Sequence, residues 1–185
     1  MVARNHVAVQ ARRATEDDLR ATPRDGRKYE LVDGEIRVSP AGSRHSEVSL
    51  KLAARLLAYV AERGGGHVFE SSVGFRLPDG NVRSPDASYV AAGRFPNEKT
   101  PDDFSDIVPD LVVEVLSPSE RSRHILDKVG EYLEAGVRLV WVIDPRKAKA
   151  IAYTSPSDVA ELQADEELDG GAILPGFRCR LADIL

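Results

Sequence analysis

The segment Leu111-Val112-Val113-Glu114-Val115-Leu116 sets one carboxylate inside a run of large aliphatic side chains. A run of this kind forms a strand, and an ionised group within it is costly unless it is paired or bound to a metal. Any fold available to the chain therefore has to compensate Glu114. Asp86 stands in a similar position, in Ser84-Pro85-Asp86-Ala87-Ser88-Tyr89-Val90, a strand-forming stretch that opens on a proline and carries a single acid. On adjacent strands, two such acids would make a hard-oxygen site suited to Mg²⁺ or Mn²⁺.

The surrounding pattern predicts an α/β fold. Asp33-Gly34 supplies the positive φ angles of a tight turn between Tyr29-Glu30-Leu31-Val32 and Glu35-Ile36-Arg37-Val38, which gives an N-terminal β-hairpin. From Ser43, apolar residues recur at helical spacing through Val48, Leu52, Leu56 and Val60 until Gly64-Gly65-Gly66 stops the helix. Strand-like stretches follow at His67 to Leu77, Asn81 to Val90 and Asp110 to Leu116. Ser117-Pro118-Ser119-Glu120 then has a capping-box pattern, leading into a helix with Ile125, Leu126, Val129 and Leu133 on one face and Gly136 at its end. Leu139 to Ile143 predicts another buried strand, and the remainder a short meander covering an edge. The expected architecture is a mixed central sheet, from the strands around residues 67, 82, 110 and 139, with a helix on each face.

At 185 residues the chain suits one domain, here 15–185, preceded by a flexible N-terminal arm over residues 1–14 and opening at Thr15, which can cap a short acidic helix. No apolar run approaches the ~20 residues of a membrane span. The N-terminus lacks the apolar core of a secretory signal, and the single Cys179 has no disulfide partner, so a cytoplasmic setting is expected. The net charge of −5 argues against a sequence-blind nucleic-acid coat protein. It leaves room for an enzyme whose acids hold cations under a locally basic rim.

Pro85-Asp86 followed by the strand acid Glu114 resembles the PD-(D/E)XK nuclease superfamily. The wider set is similar to the Uma-two family of restriction-endonuclease-like proteins. It comprises Tyr29 to Glu35, His45 opening a helix, Ser84-Pro85-Asp86, Val113 to Ser119, Lys128 to Tyr132, Ala135-Gly136-Val137, Trp141 to Pro145 and Leu174-Pro175-Gly176-Phe177. The resemblance covers about residues 15 to 185. It implies a restriction-endonuclease-like fold and metal-dependent cleavage of a phosphodiester, most naturally in DNA with RNA as an alternative, using Mg²⁺ or Mn²⁺ held by Asp86 and Glu114. By analogy with two-strand cutting it also implies a homodimer. Two departures stand out. Leu116 occupies the i+2 slot beside Glu114 where the superfamily places lysine, so the resemblance assigns that role to Lys128 on the following helix. His124 stands where the family pattern commonly has Asp. Glu30 resembles the superfamily's auxiliary acid, and His45, at a helix N-terminus, is a candidate hydrogen-bond donor to phosphate.

Each residue also has a plainer reading. Glu114 can be a buried structural acid paired with an arginine, Asp86 a strand-edge acid, Lys128 a solvated helix residue, and Glu30 and His45 a surface pair and a helix-start residue. Trp141, Tyr132 and Tyr89 read as packing residues. His6, His45, His67 and His124 lack the clustered spacing of a zinc site, and no glycine pattern fits a nucleotide fingerprint. The competing functional class is a nuclease-like module without cleavage that binds DNA or protein.

Overall fold

The computed structural model describes residues 12–39, 42–117 and 122–185. Most of the expected arm and the Pro118-Ser119-Glu120 portion of the capping box lie outside the described residues. The first element is the short helix α1 (Glu16–Arg20), opened by a complete capping box between Thr15 and Asp18, an arrangement that contributes about 1 kcal/mol. Ala14 donates its N–H to Gly34 O at 2.7 Å, tying the chain ahead of α1 to the hairpin turn.

β1 (Lys28–Val32) and β2 (Glu35–Ser39) pair antiparallel in the register Val32 to Glu35. The two turn residues, Asp33 and Gly34, have φ of 55° and 77°, as the twist of a two-residue hairpin requires. Helix α2 (Ser43–Arg63) ends where Gly64 takes a left-handed φ of 70° and donates to Val60 O.

Next come β3 (His67–Glu70), β4 (Phe75–Arg76), β5 (Val82–Arg83) and β6 (Ala87–Val90). They are followed by β7 (Leu111–Val115), α3 (Ser122–Glu134), β8 (Leu139–Asp144), β9 (Lys149–Tyr153), β10 (Val159–Gln163), β11 (Glu167–Asp169) and β12 (Arg178–Arg180). The central sheet is mixed and six-stranded in the order β10-β9-β8-β7-β6-β3, parallel only at β7 and β8, which α3 connects. The hairpin belongs to a second sheet, β2-β1-β5-β4, and β11 pairs with β12.

Two expected strands are broken, one of them at a proline. Asn81 to Val90 was expected as one strand of the central sheet, but Pro85 has no N–H for a ladder. The chain therefore leaves the hairpin sheet after β5 and joins the central sheet only at β6. His67 to Leu77 likewise divides into β3 and β4, in different sheets. Beyond β8, the expected meander covers the edge by pairing, β9 on β8 and β10 on β9, while Leu174 and Phe177 of the tail pack into the core.

Alternation along β7 sorts the two faces. Leu111, Val113 and Val115 join the cluster built on Val48, Leu52 and Leu56 of α2. Val112 joins the cluster of Ile125, Val129 and Tyr132 from α3. Burial of each large aliphatic side chain contributes about 1.5–3 kcal/mol. Glu114 shares parity with Val112 and so falls on the α3 face, in the apolar layer that was expected to make it expensive. Trp141 is fully buried and stacks on Phe177 with ring centroids 5.8 Å apart, a packing role. Cys179 is a free, buried thiol whose pKa burial raises.

Candidate active site

The break at Pro85 brings Asp86 to the end of the β6–β7 ladder. Its backbone N–H donates to Val113 O at 3.0 Å, and its carboxylate continues the pairing by accepting the Val115 N–H on Oδ2 at 2.7 Å. Ser49 of α2 donates to the Asp86 carbonyl at 2.9 Å. His45, in the first turn of α2, sets Nε2 3.0 Å from the same Oδ2. Its Nδ1 is buried with no partner among the described residues. Asp86 Oδ1 faces Lys28 Nζ at 2.7 Å.

Glu114 is held from α3. The Tyr132 hydroxyl donates to Oε1 at 2.7 Å, and Lys128 Nζ to Oε2 at 3.2 Å, with Lys28 Nζ 3.9 Å from Oε2. Lys128 and Tyr132 are four apart on one helix and share a face. Lys128 also lies 3.4 Å from Glu30 Oε2. Glu30 in turn accepts the Ser84 N–H at 3.0 Å and Arg83 Nη1 at 3.2 Å, and Arg83 forms a two-pronged pair with Glu131 at 2.7 Å on each prong.

Burial works against ionisation throughout. At Asp86 it is overcome by the Lys28 ammonium and by His45, and the carboxyl pKa falls well below its ordinary value. At Glu30 burial is outweighed by Lys128, Lys28 and Arg83, again giving a lowered pKa. At Glu114 burial prevails: Lys128 and Lys28 act against it, Asp86 and Glu30 reinforce it, and the pKa is raised. Burial would depress both ammonium groups, but the facing carboxylates, Glu114 foremost, raise Lys28 and Lys128 above the usual lysine value. Burial beside Glu114 pushes the Tyr132 phenol well up, so it stays a donor.

The sequence of residues 16–182 matches the family Uma2, described as "Putative restriction endonuclease". The chain belongs to the Uma2 family. Among solved structures it is similar to one titled as a putative nuclease of DUF820 from Anabaena variabilis, with a TM-score of 0.80 and 19% identity, over 92% of this chain and 96% of that one. That likeness shows a shared fold. A DrdV–DNA complex aligns at a TM-score of 0.33 and 12% identity, over 63% of this chain and 12% of that one, too weak a match to inform the site. No curated protein matches the chain.

All five residues singled out in the sequence, Glu30, His45, Asp86, Glu114 and Lys128, converge in this Uma2 chain. Glu30 reaches the acids through Lys128 rather than by facing Asp86. Lys28, Arg83 and the Tyr132 hydroxyl were not anticipated. Lys28 was signalled by strand alternation, which puts it on the same face as Glu30. His124, exposed, lines the same pocket of about 370 Å³ as Lys28, His45, Asp86, Glu114 and Lys128.

Among the described residues, no three His, Cys, Asp or Glu side chains are arranged to hold a metal. Mg²⁺ rarely needs so many, since it is usually bound by one or two carboxylates with water and substrate phosphate. Here Val115 N–H, His45 and Tyr132 take one oxygen of each acid, which leaves Asp86 Oδ1 and Glu114 Oε2 turned toward cations. The Lys28 ammonium stands between those two oxygens where a metal would go. The donor set fits a divalent ion.

No helix among the described residues is long and apolar enough to cross a membrane.

Proposed function

We propose that this chain is a divalent-metal-dependent endonuclease of the PD-(D/E)XK type that hydrolyses phosphodiester bonds in DNA. The observation that carries this reading is the convergence of Asp86 Oδ1 and Glu114 Oε2 on one cationic point beside an open pocket. Mg²⁺, with Mn²⁺ as substitute, would be held there and would polarise the scissile phosphate and acidify water.

The chain's own groups do the rest. Val115 N–H and Tyr132 OH fix each carboxylate in one rotation, so its outward oxygen needs no reorganisation. Lys128, clamped by Glu30 and Glu114, presents an ammonium that orients the attacking water and offsets charge developing on phosphate. His45 holds Asp86 and borders the path of the phosphate. Glu30 positions Lys128. A homodimer would supply the second site that cutting both strands requires.

One observation favours the rival, a silent nuclease-like module binding DNA or protein: every carboxylate of the cluster already has a protein cation. Nicking of supercoiled plasmid with Mg²⁺ or Mn²⁺ separates the two. Cleavage by the wild type that is lost in Glu114→Gln supports the nuclease. Absence of cleavage with either metal, or equal cleavage by Glu114→Gln, overturns it.

A further inference from the structure

Lys28 is the one member of the cluster that touches both outward oxygens, with its ammonium 2.7 Å from Asp86 Oδ1 and 3.9 Å from Glu114 Oε2. Lys128 has a different place. It bridges Glu114 and Glu30, at 3.2 and 3.4 Å, on the α3 side of the sheet. The remaining oxygens of the two acids are engaged mainly by uncharged donors, the Val115 amide and the Tyr132 hydroxyl, which can stay in place when a metal arrives. The Lys28 contact cannot. A divalent ion lies roughly 2.0–2.1 Å from its carboxylate oxygens, so between Oδ1 and Oε2 it would overlap the ammonium and repel it.

We infer that Lys28 is a displaceable resident cation: it closes the Asp86–Glu114 pair in the free protein and leaves when a divalent ion enters. This rests on the metal-dependent reading above. The means of leaving are built in. Lys28 is the first residue of β1, carries its charge on a flexible four-carbon stem, and lines a pocket of about 370 Å³ into which the ammonium can swing. There it adds positive charge where an anionic substrate would enter. The free protein keeps its buried acids neutralised without metal, and the metal binds only by competing with an intramolecular rival. A latch closed nine-tenths of the time weakens apparent metal affinity about tenfold.

Two readouts on the full chain test this. Wild-type protein is treated briefly with an acetylating reagent, with and without saturating Mg²⁺, and lysine modification is read by mass spectrometry. Lys28 labelling should rise several-fold with the metal while Lys128 labelling does not. Calorimetric titration with Mn²⁺ should show Lys28→Met binding at least tenfold more tightly than wild type, and Lys28→Gln, which keeps a neutral donor to Asp86, serves if the Met variant does not fold. Lys128→Met controls for general electrostatics, because it removes an equal charge near the same Glu114 oxygen and should tighten binding far less. Metal binding with unchanged Lys28 labelling overturns the inference and leaves the metal reading intact, as does equal tightening by Lys28→Met and Lys128→Met. No binding by wild type or by either Lys28 variant overturns the metal reading itself.

Discussion

Lys128→Met isolates the interaction on which the buried cluster depends most. The ammonium lies 3.2 Å from Glu114 and 3.4 Å from Glu30, all three groups being almost fully buried. At an effective dielectric of about 20, each contact represents roughly 5 kcal/mol of gross attraction. Much of this is offset by the desolvation of Lys128, which methionine does not suffer. Glu30 also keeps Arg83 and Ser84 N–H, and Glu114 keeps Tyr132 and Lys28. Breaking a buried pair by removing one partner costs about 3–5 kcal/mol, equivalent here to a fall in Tm of roughly 6–20 °C. Adding Glu114→Gln on top of Lys128→Met removes the carboxylate left short of a partner, so the double variant should recover at least about 2 kcal/mol relative to the sum of the singles. Urea unfolding of the four proteins at pH 7 measures the coupling directly. If the single costs add to within about 0.5 kcal/mol, the two groups are not energetically joined and the clamp is wrong.

The lowered Asp86 pKa implies stability that is present above the unfolded aspartate value of about 3.9 and is lost as pH falls through the folded value. Glu114, with a raised pKa, acts in the opposite sense: protonating it relieves a burial cost. Asp86→Asn should therefore flatten the acid limb, with the gap in urea midpoint between wild type and variant wider at pH 6 than at pH 3; an equal gap at both excludes Asp86 as a titrating support. Tyr132→Phe removes the donor to Glu114 Oε1 and should cost about 1.5–3 kcal/mol in urea unfolding. A cost under about 0.5 kcal/mol would mean that the hydroxyl does not hold the carboxylate.

How far the sequence discloses this site differs by residue, for physical reasons. Glu114 and Asp86 are legible because an acid among aliphatic neighbours is an energetic anomaly. Lys128 is legible only in part: helical spacing puts it beside the apolar stripe of α3, while Leu116 in the expected lysine slot means that the family pattern has to draw its lysine from elsewhere. Lys28 and Arg83 carry no such anomaly. Each sits in a short strand with no acid directly beside it, and its partners lie far along the chain, 58 residues away for Lys28 and Asp86 and 48 for Arg83 and Glu131. Tyr132 is a packing residue by its ring and a site residue by its hydroxyl, and helical periodicity reports only the ring. The hairpin, both long helices and the β7–α3–β8 crossover follow from local signals. The division of Asn81–Val90 between two sheets required weighing Pro85 as a break in hydrogen bonding, and the sheet order required long-range pairing that periodicity does not contain.

The same division at Pro85 explains why the two sheets have to meet at the acids. β1 and β5 carry Lys28, Glu30 and Arg83 from the hairpin sheet, while Asp86, the residue just ahead of β6, and Glu114 on β7 come from the central one. Only Ser84 and Pro85 lie between Arg83 and Asp86 in the chain, which keeps the two close. Among the described residues, the buried carboxylates Glu30, Asp86 and Glu114 and the half-buried Glu131 face the cations Lys28, Lys128 and Arg83, so that with all four acids ionised one negative charge is in surplus. A cluster balanced this closely stands without a metal, since no acid is abandoned in apolar surroundings. It also retains a reason to accept one, because the surplus is negative and the cation between Asp86 and Glu114 borders an open pocket.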